Sequence, residues 1–313
     1  MSPARSGSLT GGANRIYYYF VLGAMGGLVG WYFTAMVTVA GVASQVVLGG
    51  LLGASIGLGA GAFDGIACGS MARIVKFGGT SLLLGLAAGA IALPLVQTLY
   101  GSVSQADSVT RFSIGTLCWI VLGGLIGLGE GVSKGSQPWK GLLGGMIGGA
   151  LGGGIYEAVG RSTASTGSVA EQSVLAFAVS TLGGFIGSSV ALVTTVLKDA
   201  WLVIENGKLA GTEINISKYV HRDLGSRRAG IIGSSQWDAN IYLPGDSDVL
   251  PKHASIGYRD GAPTLTALPL AIQRRAKTLV NGRPVTVWPL SNGDRLQIGS
   301  TTLQYRQNLK KRG

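Results

Sequence analysis

Glycine recurs every fourth residue through one long apolar run, at Gly49, Gly53, Gly57, Gly61, Gly65 and Gly69. Residues four apart stack on one face of an α-helix, so this spacing leaves a smooth ridge without side chains. In water such a helix would not hold, because each interior glycine costs about 1 kcal/mol relative to alanine. Hydrocarbon reverses that balance. An unpaired backbone amide is costly there, so helices persist, and glycine lets two of them approach closely. Gly123, Gly127, Gly131 and Gly135 repeat the spacing, and Gly141, Gly145 and Gly149 repeat it beside a second row at Gly144, Gly148 and Gly152. These rows are expected at helix–helix contacts, with Gly57, Gly61, Gly127 and Gly131 as packing positions. The spacing leaves open whether the facing helix belongs to the same chain or to another copy in a homo-oligomer.

Apolar runs of spanning length fall at about 16–40, 45–66, 78–98, 113–130, 139–157 and 174–197. Each nears or passes the ~20 residues that cross a ~30 Å hydrocarbon core as helix. The pattern predicts an all-α polytopic membrane bundle of about six glycine-rich helices embedded in a lipid bilayer. Ile56-Gly57-Leu58-Gly59 with Gly61 matches Ile126-Gly127-Leu128-Gly129 with Gly131, which suggests two hairpins of the same orientation, a parallel repeat also used by transporters. No cleavable signal peptide is evident.

Charge divides the chain. Only 12% of residues are charged, and 17 of the 25 Lys and Arg lie from Lys198 onward. Among the rest, Arg5, Arg15, Arg73, Lys76, Lys134 and Lys140 fall on the side shared with Lys198. The positive-inside rule then puts both termini in the cytoplasm, in a plasma (bacterial-type inner) membrane. The opposite loops would hold Asp107, Arg111, Glu157, Arg161 and Glu171, and Tyr17, Tyr18, Tyr19, Trp139 and Trp201 would anchor at the interface. Asp64, Glu130 and Lys134 are the ionisable residues at membrane depth. They serve either as an Asp64–Lys134 tie between hairpins or in an ion or proton path.

Cys68 and Cys118 have no CxxC partner or nearby histidine, so metal and redox roles are not expected. No catalytic cluster, metal-ligand cluster or phosphate loop appears, and Gly129-Glu130-Gly131-Val132-Ser133-Lys134 lacks the required ending. The expectation is a non-enzyme without cofactor. No nucleic-acid partner is expected, because the basic tail lacks interleaved aromatics.

From Trp201 the pattern changes to short alternating segments punctuated by Gly, Pro, Asn and Asp. Strands are expected near 201–204, 212–216, 230–232, 240–243, 253–258, 264–268, 285–288, 295–298 and 301–306, which suggests a β-sandwich. Ile231-Ile232-Gly233-Ser234-Ser235, Leu250-Pro251-Lys252-His253-Ala254, Val280-Asn281-Gly282 and Asn292-Gly293-Asp294-Arg295-Leu296-Gln297-Ile298-Gly299 follow in order. That succession resembles a forkhead-associated (FHA) domain, a family that usually reads phosphothreonine peptides. The resemblance implies a Gly-Arg pair, a Ser-x-x-His segment and an Asn-Gly turn around the peptide. Here Gly233, His253 and Asn281-Gly282 match, whereas Ser234 stands for the arginine and Leu250 for the serine. Serine cannot supply the arginine's bidentate bonds to phosphate. The resemblance thus implies a degenerate site at which Ser234, Leu250, Lys252, His253, Asn281 and Arg283 meet a protein partner, phosphorylated or not. The expected division is a leader at 1–15, a transmembrane domain at 16–198, an FHA-like domain at 199–309 and a basic tail at 310–313. The basic segment Lys218–Arg228 reads as a solvated loop or a lipid-headgroup contact. Two function classes stay open: a membrane scaffold or receptor that recruits a partner, and a pore or transporter subunit gated by the FHA-like domain.

Overall fold

The computed structural model describes residues 12–37, 41–102, 107–133, 138–163, 169–220 and 229–308. Arg5, Lys134, Gly135, the segment 221–228 and the terminal 310–313 lie outside the described residues. The chain divides into a helical unit, Arg15–Leu197, and a unit that contains Lys198–Gly313.

The helical unit contains α1 (Gly12–Ala35), α2 (Val42–Ala67) and α3 (Met71–Arg73), which runs through a π-helical turn at Ile74–Gly78 into α4 (Gly79–Ser102). Then follow α5 (Ser108–Ser133), α6 (Pro138–Thr163) and α7 (Val169–Val196). Five of these stretches are long and apolar enough to cross a membrane: Ala13–Ala35, Val42–Ala67, Met71–Ser102, Ser108–Val132 and Gln172–Val196. The expected sixth run, 139–157, lies within α6, which falls short of that apolarity.

The glycine rows explain both the packing and the exception. A Cβ on Gly49 or Gly53 would run into the carbonyls of Gly89 and Gly85, and one on Gly57 into that of Ser81, so α2 lies directly on α4. At Gly61 a Cβ would come within 2.6 Å of Ser81 Cβ and 2.8 Å of the Phe77 carbonyl. Gly127 presses on Gly141 and Gly145 of α6, whereas Gly131 is looser, with the Pro138 carbonyl 3.2 Å from its would-be Cβ. The two rows of α6 face different neighbours: Gly141, Gly145 and Gly149 meet α5, and Gly144, Gly148 and Gly152 meet Val190, Ile186 and Leu182 of α7. A helix pressed on both sides by others has little need of bulky apolar side chains. Gly23 and Gly27 likewise seat α1 on Gly183 and Val179 of α7. Each of these glycines meets its facing helix within one chain.

The second unit is a sandwich. One sheet has the order β2-β1-β11-β10-β7-β8 and the other β4-β3-β5-β6-β9. The first comprises β1 (Ala200–Ile204), β2 (Glu213–Asn215), β7 (Thr278–Val280), β8 (Arg283–Pro284), β10 (Arg295–Ile298) and β11 (Thr301–Gln307). The second comprises β3 (Gly230–Gly233), β4 (Ile241–Tyr242), β5 (Ala254–Arg259), β6 (Ala262–Ala267) and β9 (Val287–Pro289). Alternate residues of both sheets, among them Leu202, Ile204, Ile232, Ile256, Leu265, Val280, Leu296, Ile298, Leu303 and Tyr305, form one buried core. A short helix, α8 (Pro269–Gln273), and the strand pair β7–β8 were not expected from the sequence. Trp201 lies in β1 under the Lys198 ammonium, 4.4 Å from its ring centre, rather than at a helix end.

Candidate functional site: the loop pole of the sandwich

The β3–β4, β4–β5, β6–β7 and β10–β11 connections gather at one pole, and Gly233 holds two of them together. A Cβ there would collide with the Pro251 carbonyl and stand 2.9 Å from that of Leu250, so only glycine lets the β4–β5 loop lie against the end of β3. The contact is stitched by Ser234 N–H to Leu250 O (3.0 Å) and Ser235 N–H to Pro251 O (3.3 Å). The Ser234 hydroxyl turns inward and donates to the Val249 carbonyl at 2.8 Å.

His253 joins this loop to the next. Its Nδ1 accepts from the Leu250 N–H at 3.2 Å, so the ring proton belongs on Nε2, which contacts Thr278 Oγ1 at 3.1 Å. The ring is fully buried. Burial pushes the imidazole pKa below its ordinary value, against a hydrogen bond to the Lys277 backbone carbonyl and the charge of Asp246, both of which favour the protonated ring. Because it has no exposed surface, His253 supports the loops and cannot itself touch a partner. Asp246 clamps the β10–β11 turn by accepting from Ser300 N–H (3.0 Å) and the Thr301 hydroxyl (2.7 Å). Burial works to raise its carboxyl, and the donors from Thr301, Ser300 and Asp248 outweigh that and hold it below the usual range.

Ser234, Leu250, Lys252 and His253 therefore lie together at this pole, with Lys252 paired to Asp238 at 3.1 Å. Asn281 and Arg283 do not join them. β7 runs from Thr278 at this pole to Val280, and Asn281 with Gly282 makes the two-residue turn into β8 at φ 51° and 81°. That places Asn281 about 10 Å further along the strand. Its side chain donates to Asp294 Oδ1 (2.8 Å) and accepts from Arg295 N–H (2.9 Å). The Asn-Gly pair is there because the turn requires left-handed backbone at both residues. Reasoning from sequence missed the α8–β7 turn, which sets exposed Arg274, Arg275 and Lys277 beside Thr278. Their clustering between two apolar strands was the available signal. It also missed Trp237, 62% exposed in the β3–β4 loop.

In the helical unit Asp64 pairs with Arg15 at 3.6 Å. Lys134, the partner expected for it, is outside the described residues. Glu130 is buried and accepts from the Ser81 hydroxyl at 2.8 Å. Glu157 is not in a loop. It is buried within α6, beside Gly115, and accepts from Trp119 Nε1 at 3.2 Å. Arg111, Arg161 and Glu171 also fall on helices, which run past the apolar segments by a turn or more. Of the three tyrosines only Tyr17 is largely exposed, at 62%, whereas Tyr19 is in the core against Phe63.

Residues 230–299 match the family model for the FHA domain, and this part of the chain is an FHA domain. No curated protein matches the chain. Among solved structures, one from a study of phosphothreonine-dependent FHA domain interactions is 25% identical, covering 35% of this chain and 97% of its own, with a TM-score of 0.28. The FHA domain of the CT664 protein from Chlamydia trachomatis is 21% identical over 35% of this chain and 98% of its own, also with a TM-score of 0.28. EmbR of Mycobacterium tuberculosis, in complex with a low-affinity phosphopeptide, is 13% identical over 87% of this chain and 73% of its own, with a TM-score of 0.28.

Proposed function

We propose that this chain is a membrane-embedded scaffold or receptor whose FHA domain recruits a protein partner through its loop pole, without requiring phosphate. Five helices of spanning length and apolarity support the membrane anchor. The inward turn of the Ser234 hydroxyl carries the second half of the reading: the position where the family places its arginine offers no donor to a ligand. Leu250 adds no hydroxyl, and Lys252 is already engaged by Asp238. The loop pole lies at the end of the sandwich opposite the start of β1, so the chain enters away from the loops. Calorimetric titration with a phosphothreonine peptide library and its unphosphorylated twin tests the reading. Weak, phosphate-indifferent binding is expected, and micromolar binding confined to the phosphorylated set overturns it.

Both termini are cytoplasmic in this reading, on a plasma (inner) membrane, because the basic residues share one side. Reporter fusions at Gly7 and Lys208 should read inside, and those at Asp107 and Ser165 outside. A second reading, a pore or transporter subunit, is favoured by the buried carboxylates Glu130 and Glu157 at helix interfaces. Robust flux into liposomes that depends on Asp64 would select it. The intrachain use of the glycine rows favours an anchor that needs no second copy.

A further inference from the structure

We propose that the α8–β7 turn is an anion-seeking docking surface, and that its occupant is an acidic, extended segment of a partner protein rich in Asp or Glu. This rests on the recruitment reading above and names where and by what chemistry the partner is held. Arg274, Arg275 and Lys277 are exposed within four consecutive residues. Among the described residues none makes an ion pair, although Lys252, Arg259 and Arg295 on the same domain each have a carboxylate. From Gly261 to Gly293 the sequence contains no Asp or Glu at all, so the cations have no local competitor. Three unneutralised charges on one turn repel each other, and an anionic partner relieves that repulsion.

The turn is built rather than loose. Arg274 N–H bonds Leu270 O (3.0 Å), Arg275 N–H bonds Ile272 O (3.1 Å), and Ala276 N–H bonds Ala271 O (2.8 Å). Arg275 is held at φ 52°, a left-handed conformation that a side chain other than Gly, Asn or Asp seldom adopts. The backbone changes hand between Arg274 (φ −84°) and Arg275. Three cations distributed over four residues suit several carboxylates spaced along a chain better than one compact phosphate. Leu270 and Ile272, 39% and 49% exposed, flank the cations and offer apolar contact to side chains between the acidic ones. A second copy of this chain is a poor occupant, since its formal net charge is +11. The His253–Thr278 bond ties the turn to the Leu250 loop, so the patch borders the pole at which recruitment is proposed.

The test uses the full chain in nanodiscs of neutral lipid, a fluorescent peptide of alternating Glu and Leu, and a same-length peptide carrying one phosphothreonine and no other acid. The Glu-Leu peptide should bind, and Arg274→Ser/Arg275→Asn/Lys277→Ser should weaken it roughly tenfold or more, with unfolding temperature unchanged. Binding should fall with salt, and Arg259→Ser, at the other end of β5, should leave it within about twofold. Equal binding by wild type and the triple variant overturns the patch. Preferential binding of the phosphothreonine peptide that survives the triple substitution also overturns it, and with it the phosphate independence of recruitment, leaving only the loop pole as the place of binding. No binding of either peptide overturns both readings. Quenching of Trp237 by brominated phosphatidylserine discs, abolished in the triple variant, would assign the patch to the membrane surface and overturn the protein partner.

Discussion

Replacing Gly233 by alanine isolates the contact that shapes the loop pole. The added Cβ would overlap the Pro251 carbonyl oxygen and sit 2.7 Å from its carbon and 2.9 Å from the Leu250 oxygen. These are backbone atoms, so no rotamer change removes the clash and the β4–β5 loop must shift by a sizeable fraction of an ångström. The Ser234 to Leu250 and Ser235 to Pro251 bonds, at 3.0 and 3.3 Å, bear that shift directly. Losing two hydrogen bonds costs about 1 kcal/mol each, and overpacking adds about 1–3 kcal/mol. The expected loss is about 3–5 kcal/mol, or roughly 12–20 °C in Tm for a domain of this size. Gly257→Ala is the control: its Cβ would meet only Ala229 at 3.5 Å, an ordinary contact, and should be neutral or stabilising. Urea denaturation of the 198–313 unit measures both. A Gly233→Ala cost under about 0.5 kcal/mol would refute the close approach.

His253 makes the domain pH-sensitive. Its folded pKa is depressed by burial, so below the unfolded value of about 6.5 the unfolded chain binds the extra proton, and stability falls as pH drops from there to the folded pKa, with a slope of at most about 1.4 kcal/mol per pH unit. Asp246, also depressed, adds its loss only at lower pH, below about 4, so His253→Gln should flatten the upper window alone in pH-dependent urea melts. In the helical unit Gly61→Leu should impair folding in detergent far more than Gly101→Leu, where a Cβ meets nothing within 4 Å. Gly127→Ala should cost more than Gly131→Ala, because only the former meets helix backbone at 2.8 Å; equal thermal stability of the two variants would contradict the α5–α6 packing. Asp246→Ala should release the β10–β11 turn and cost about 1–3 kcal/mol by the same denaturation assay.

Glycine period and apolar length made the helical unit legible, since both follow from what long apolar helices in close contact must satisfy. The rows could not reveal that α6 would be pressed between α5 and α7, which lets it dispense with apolarity. Glu157 was misplaced because a carboxylate at the end of an apolar run marks a loop unless a donor such as Trp119 Nε1 awaits it across the helix pair. In the sandwich, alternation located most strands, and the FHA resemblance singled out Gly233 and His253; in the structure the first lies where only bare backbone fits and the second is a buried ring bonded on both sides. Asn281 misled for a chemical reason. A two-residue hairpin demands Asn-Gly as strongly as a binding loop does, and sequence does not say which end of a three-residue strand the pair will cap. The Arg274–Lys277 turn escaped notice because α8 is one turn long and leaves no periodicity to read.

Site-directed photocrosslinking from the full chain in native membranes tests the central claim most directly, with the probe at Ser235 or Arg274 on the loop pole and at Asp260 on the opposite pole. Partner recruitment without phosphate predicts a discrete protein adduct from Ser235 and Arg274, none from Asp260, and the same adduct after phosphatase treatment. Adducts of equal yield from both poles, or an adduct from the loop pole that phosphatase abolishes, would contradict it.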